Sequence, residues 1–235
     1  MLLDVLFADE LSWSNIIYSI IASLIVIFLT LPIHEFAHGF VAHKLGDPTA
    51  KNMGRLTLNP LAHLDLMGSA MILIIGFGWA KPVPVGMHYF KNPKRDMAIT
   101  AFAGPLSNII MAFIMLLLGH TIYFILGFYL EMSKVVLSIL LALMTIFDFA
   151  AHINVSLAIF NLIPIPPLDG SRILNAFLPD RIYYKLMQYE RYFFFIIFAI
   201  VYVFDNLLIG ATDGVLDILS ILAALPFNLF NLVNL

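Results

Sequence analysis

The sequence contains no cysteine. That excludes a disulfide framework and any thiolate metal site, so a bound metal must be held by histidine, carboxylate or amide side chains. Charge is scarce too: 11% of the 235 residues are Asp, Glu, Lys or Arg, against 62% hydrophobic, with a net charge of −3. No water-soluble globular domain has that balance. Basic tracts and low-complexity segments are missing, so nothing points to a nucleic-acid partner. The N-terminus carries Asp4, Asp9 and Glu10 where a secretory signal would be basic, and it lacks a small-residue cleavage site. A cleavable signal is therefore not expected. No internal repeat is visible.

What is present is apolar sequence in long runs, with a mean hydropathy of +0.98. Several runs are long enough for a bilayer core of about 30 Å. The expected fold is an all-α polytopic membrane protein, one domain over residues 1–235. Residues 13–43 read as one helix capped by Ser12 or Ser14, with Pro32 loosening its hydrogen bonding and Gly46 ending it. The uncharged stretch 66–80 is short for a span and fits a re-entrant or interfacial segment. Lys81-Pro82-Val83-Pro84-Val85 must be extended, because each proline excludes helix before it. Residues 97–118, 134–163 and 192–210 read as further spans. Residues 119–133 read as a loop or short helix, and 214–233 as a span or an interfacial segment.

Inside the first helix lies His34-Glu35-Phe36-Ala37-His38, the pattern H-E-x-x-H. Ionisable groups at mid-membrane depth cost about 2.5–3.5 kcal/mol each on insertion scales. Three within five residues imply a shared partner, and a metal ion is the simplest. His34 and His38 share a helix face, so both imidazoles reach one ion. Glu35 projects about 100° away, beside the ion's open position, as a general base would. Eleven of the twelve Lys and Arg fall in 44–60, 81–95 and 172–191. By the positive-inside rule those regions are cytoplasmic, and the histidines sit in the inner half of the membrane. A catalytic zinc wants a third protein ligand. Asp169 follows a proline-broken stretch at the same depth and is the best candidate.

H-E-x-x-H together with Asn161-Leu162-Ile163-Pro164-Ile165-Pro166-Pro167-Leu168-Asp169-Gly170 resembles the site-2 protease family of intramembrane zinc metalloproteases. The stretches GDPTAK, GRLTLNPLAH and GWAKPVPV are similar to its compact prokaryotic members, and the resemblance covers roughly residues 20–180. It implies a core of about four to six membrane segments with a short extended or β region. It implies one zinc per chain on His34, His38 and Asp169, with Glu35 as general base. It implies cleavage of a protein substrate within or beside its transmembrane helix, in the cytoplasmic membrane, with the site toward the cytoplasm. Asn161 would position substrate or steady the oxyanion, and His63 is a second candidate for that role. The chain departs from larger members in having no room for a PDZ domain between the motifs or for a C-terminal nucleotide-sensing domain.

Other polar residues have plainer readings. His43 is a solvated helix end, and His88 and His120 are loop residues. Asp148, His152 and Asn154 form an interhelical hydrogen-bond cluster or line a water path. The extended 81–85 stretch could pair with an unwound substrate by strand addition. Two other functions compete: a metal-binding membrane transporter, in which Glu35 would be a ligand, and a catalytically silent homologue that only binds membrane helices.

Overall fold

The computed structural model describes residues 12–75, 78–128, 133–179, 181–182 and 203–233. Helix α1 runs Trp13–Lys44, α5 Pro93–Phe128, α6 Lys134–Asn161 and α8 Asp205–Val233. These four are long and apolar enough to cross a membrane. Between α1 and α5 lie the short helices α2 (Thr49–Asn52), α3 (Pro60–His63) and α4 (Leu66–Ile75). Helix α7 (Asp169–Asn175) follows α6. Among the described residues there is no β-strand; residues 78–86 are extended but unpaired.

Helices α5 and α6 share the most extensive interface. Apolar side chains gain little by leaving lipid for a helix interface, so small residues that let backbones approach do much of the packing. Ala22, Ala112, Ala150, Ala151, Ala158 and Ala223 are all fully buried.

Pro32 acts as its chemistry demands. Over Val26–Thr30, just before it, α1 widens into a π turn, and the Leu31 N–H reaches back five residues to the Val26 carbonyl. The register shift fits a proline that has no N–H to offer and crowds the preceding turn. The helix ends with Gly46 at φ +109°, its N–H on the His43 carbonyl and the Asp47 N–H on Ala42. That is the glycine-dependent Schellman closure.

Three expectations need correction or fall outside view. Helix α5 does not stop at 118 but continues through the stretch read as a loop, to Phe128. Its polar residues there are satisfied on the helix itself: His120 Nδ1 donates to Leu116 O and Thr121 Oγ to Leu117 O. His120 is thus a helix residue, while His88 sits in a single 3₁₀ turn, Met87–Tyr89. Asp148, His152 and Asn154 do not form one cluster. Asn154 is fully buried and donates to Ala150 O of its own helix, whereas His152 and Asp148 are exposed. The expected span at 192–210 lies largely outside the described residues; its last six belong to α8, which spans the 214–233 stretch as well.

The 61–80 stretch folds back on itself. A Cβ on Gly68 would lie 2.0 Å from Trp79 O, and one on Gly78 2.0 Å from Gly68 O. The returning chain therefore lies backbone-to-backbone against the start of α4, which only glycine permits.

Candidate metal centre

Three donor atoms converge where α1, α5 and α7 meet. His34 Nε2 and His38 Nε2 are 3.0 Å apart. Asp169 Oδ2 lies 3.1 Å from His38 Nε2 and 3.4 Å from His34 Nε2. Donors about 2.05 Å from a tetrahedral zinc stand about 3.3 Å from one another. The triangle's edges fit that value. All three residues are buried, and no further Asp or Glu joins the group among the described residues. An ionised carboxylate and two imidazoles suit a borderline-soft divalent ion.

Helix α5 sets the rings. His38 Nδ1–H donates to the Thr100 carbonyl at 2.8 Å, and His34 Nδ1 meets Asn108 Oδ1 at 3.3 Å. With each Nδ1 carrying the hydrogen, each Nε2 presents its lone pair to the shared point. Gly104 lies midway between these two contacts on α5. A Cβ there would come within 2.3 Å of His38 Nε2 and 2.6 Å of His34 Cε1. Gly104-Pro105 reads in sequence only as a close helix contact; the histidines themselves need the vacated space. Gly170 does similar service for Asp169, since a Cβ on it would lie 2.2 Å from Leu162 O. The proline-rich turn therefore lies directly under the start of α7.

Glu35 points elsewhere. It is 7% exposed, and its Oε2 accepts the Val83 N–H at 2.7 Å. The extended segment that supplies this amide is tied at several further points. The Lys81 N–H donates to His63 O at 2.8 Å. Arg55 Nη2 donates to Lys81 O and Pro82 O at 2.7 and 3.3 Å. The Gly86 N–H donates to Asp47 Oδ2 at 2.7 Å. His63 thus bonds this segment through its carbonyl, while its ring Nε2 bonds Thr57 O at 2.8 Å. Asn161 is the half-buried last residue of α6. Neither His63 nor Asn161 belongs to the three-donor group.

Comparison with known proteins agrees with this geometry. The family model "Peptidase family M50" matches residues 22–204. YwhC of Bacillus subtilis, named as a zinc metalloprotease, is 41% identical over 182 residues, 76% of this chain and 78% of the relative. MJ0611 of Methanocaldococcus jannaschii, named likewise, is 32% identical over 74% of this chain and 81% of its own. Rip2 of Mycolicibacterium smegmatis, also so named, is 34% identical over 64% of this chain and 54% of its own length. No solved structure gives a significant match. The chain belongs to peptidase family M50, the site-2 protease family, and is a zinc metalloprotease of that family.

Proposed function

We propose that this protein is an intramembrane endopeptidase that cuts transmembrane segments of membrane proteins, with His34, His38 and Asp169 as zinc ligands and Glu35 as general base. One observation carries the proposal. Three donors converge at tetrahedral-zinc spacing among membrane-length helices, while the neighbouring Glu35 is not one of them. A transport site would be expected to recruit that carboxylate as a ligand.

A zinc ion held there supplies Lewis acidity toward a peptide carbonyl and toward water. The chain's own residues do the rest. Thr100 O and Asn108 keep both imidazoles in the Nδ1–H tautomer. The carboxylate of Glu35 takes the proton of the water whose oxygen attacks the peptide carbonyl carbon, and delivers it to the amide nitrogen as the C–N bond breaks. The Val83 N–H holds that carboxylate in place through a charge-assisted hydrogen bond. Asn161 is the better donor for the developing oxyanion, with its amide N–H. His63 Nε2–H is committed to Thr57 O, so its Nδ1 donates only in the cationic ring; its proposed part is to hold Lys81.

Substrate strand addition at 81–85 is constrained in a specific way. Pro82 and Pro84 have no N–H, and the Lys81 and Val83 amides already have acceptors. A substrate strand that pairs there uses the Val85 N–H, so that the Val83 N–H stays on Glu35. The site sits toward the cytoplasmic side: His38 is about 9 Å along the helix from Lys44, and Lys94, Arg95 and Arg172 share that end.

The test is cleavage of a model transmembrane substrate by purified protein in vesicles, before and after metal removal. Loss with a chelator and recovery with zinc supports the proposal. Cleavage unaffected by metal removal, or restricted to soluble unfolded peptides, contradicts it.

A further inference from the structure

The amide that holds Glu35 is itself held at its other end. Its N–H belongs to Val83 and donates to Glu35 Oε2 at 2.7 Å. Its oxygen belongs to Pro82, and Arg55 Nη2 stands 3.3 Å from it while donating to the neighbouring Lys81 O at 2.7 Å. A peptide unit is planar, so its two ends turn together. Here one plane lies between a guanidinium on its oxygen and a carboxylate on its hydrogen. That order of charges polarises the amide so that each bond strengthens the other. The flanking prolines leave the plane little other freedom. The Pro82 ring fixes φ on one side, and Pro84 keeps Val83 extended on the other. What remains is the tilt of the Pro82–Val83 plane. Without an anchor on the oxygen, the amide would follow Glu35 rather than direct it.

The backbone of Arg55 is fixed as well. Helix α2 closes as a Schellman turn: Gly54 has φ +67°, its N–H is on Lys51 O at 3.0 Å, and the Arg55 N–H is on Ala50 O at 2.8 Å. Ala50 is fully buried. A Cβ on Gly39 would lie 3.3 Å from both Ala50 Cβ and Val83 Cγ1. The turn that carries the arginine and the residue that carries the amide therefore meet on the same patch of α1, one residue past His38. Among the described residues the guanidinium has no carboxylate partner, and its Nε is buried without a hydrogen bond. Its charge is aimed at the Lys81 and Pro82 carbonyls, so an ordinary surface ion pair does not account for it.

We propose that Arg55 is a positioning residue for Glu35 and acts through the Pro82–Val83 amide. It touches no reacting atom. Its cation holds the amide oxygen, the amide N–H holds the Glu35 carboxylate, and the base keeps one orientation through both proton transfers. This rests on the reading of Glu35 as general base and deepens it: a cation outside both metal-binding motifs sets the aim of the carboxylate.

Two readouts on the full chain in vesicles test it: kcat and KM for a model transmembrane substrate, and hydrogen exchange at the Val83 amide. The variants are Arg55→Met, which keeps the apolar stem, Arg55→Lys, Val83→Pro and the double variant Arg55→Met/Val83→Pro. With zinc near one per chain, Arg55→Met should lower kcat about tenfold and leave KM within about twofold, while Arg55→Lys, which keeps a cationic donor, should lose less than about threefold. Val83 exchange should be at least about tenfold faster in Arg55→Met than in the parent. In the Val83→Pro background the relay is already cut, so adding Arg55→Met should cost no more than about twofold further. Parental kcat or unchanged Val83 exchange in Arg55→Met overturns the inference. So does a second tenfold loss in the double variant, which would make the arginine's role merely structural, or a raised KM at parental kcat, which would assign it to substrate docking. A parent that cleaves nothing refutes the protease reading instead, and the exchange rates then decide separately whether Arg55 holds the amide.

Discussion

The carboxylate of Glu35 accepts the Val83 amide 2.7 Å away, across 48 residues of sequence. Glu35 is one helix position from His34 but is steered by a different element, so ligand geometry and base geometry are set separately. Val83→Pro removes this donor from a segment that is already extended and already flanked by Pro82 and Pro84. We expect cleavage to fall about tenfold or more with zinc retained, because a misdirected base transfers protons poorly. Val83→Ala loses side-chain packing but keeps the amide, and should stay within a few-fold of the parent. Equal losses in both would show that the side chain, not the N–H, matters.

Gly104→Ala is the sharpest test of how α5 meets the histidines. The added methyl would lie 2.3 Å from His38 Nε2, on a helix too well packed to retreat. Zinc affinity should fall at least about tenfold, and cleavage with it. Isothermal titration with zinc and metal analysis after dialysis would measure the change. Wild-type affinity would contradict the close approach.

Asn108 is fully buried and orients His34 through its Oδ1. Asn108→Leu deletes the acceptor and should cost about 10- to 100-fold in zinc affinity. Asn108→Asp keeps an acceptor oxygen and should recover much of the loss. Failure of the aspartate to recover anything would assign Asn108 to packing.

Asp47 ties the end of α1 to the extended segment by accepting the Thr49 and Gly86 amides and the Thr49 hydroxyl. Asp47→Ala should lower stability by roughly 1.5–3 kcal/mol, since hydrogen bonds to a charged acceptor are lost together. A lower thermal midpoint with zinc stoichiometry unchanged is the expected result.

The three converging donors are legible in the sequence because their signals are local. A four-residue spacing puts His34 and His38 on one face, and Asp169 follows prolines at a matching depth. The residues that orient them were not legible as such. Thr100 and Asn108 lie 62 and 74 residues from the histidines they hold, and Thr100 contributes only a backbone carbonyl that any residue has. Gly104 acts through an absence. The end of α5 is hidden in the sequence because His120 reads as loop polarity, yet it and Thr121 each donate to a carbonyl four residues back and leave the helix intact. Asp148, His152 and Asn154 are close in sequence, but 600° of helix rotation separates Asp148 from Asn154, which puts them on different faces. Pro32 and Gly46 were read correctly because a missing N–H and a missing Cβ act on their own neighbours.

We propose that His34, His38 and Asp169 hold the metal while Glu35 moves the proton. The decisive experiment measures zinc content together with cleavage of a model transmembrane substrate, for the parent and for Glu35→Gln. About one zinc per chain is expected in both proteins, with cleavage by the parent alone. Loss of zinc from Glu35→Gln would make Glu35 a ligand, and cleavage by Glu35→Gln would remove it from the chemistry; either result would overturn this division of roles.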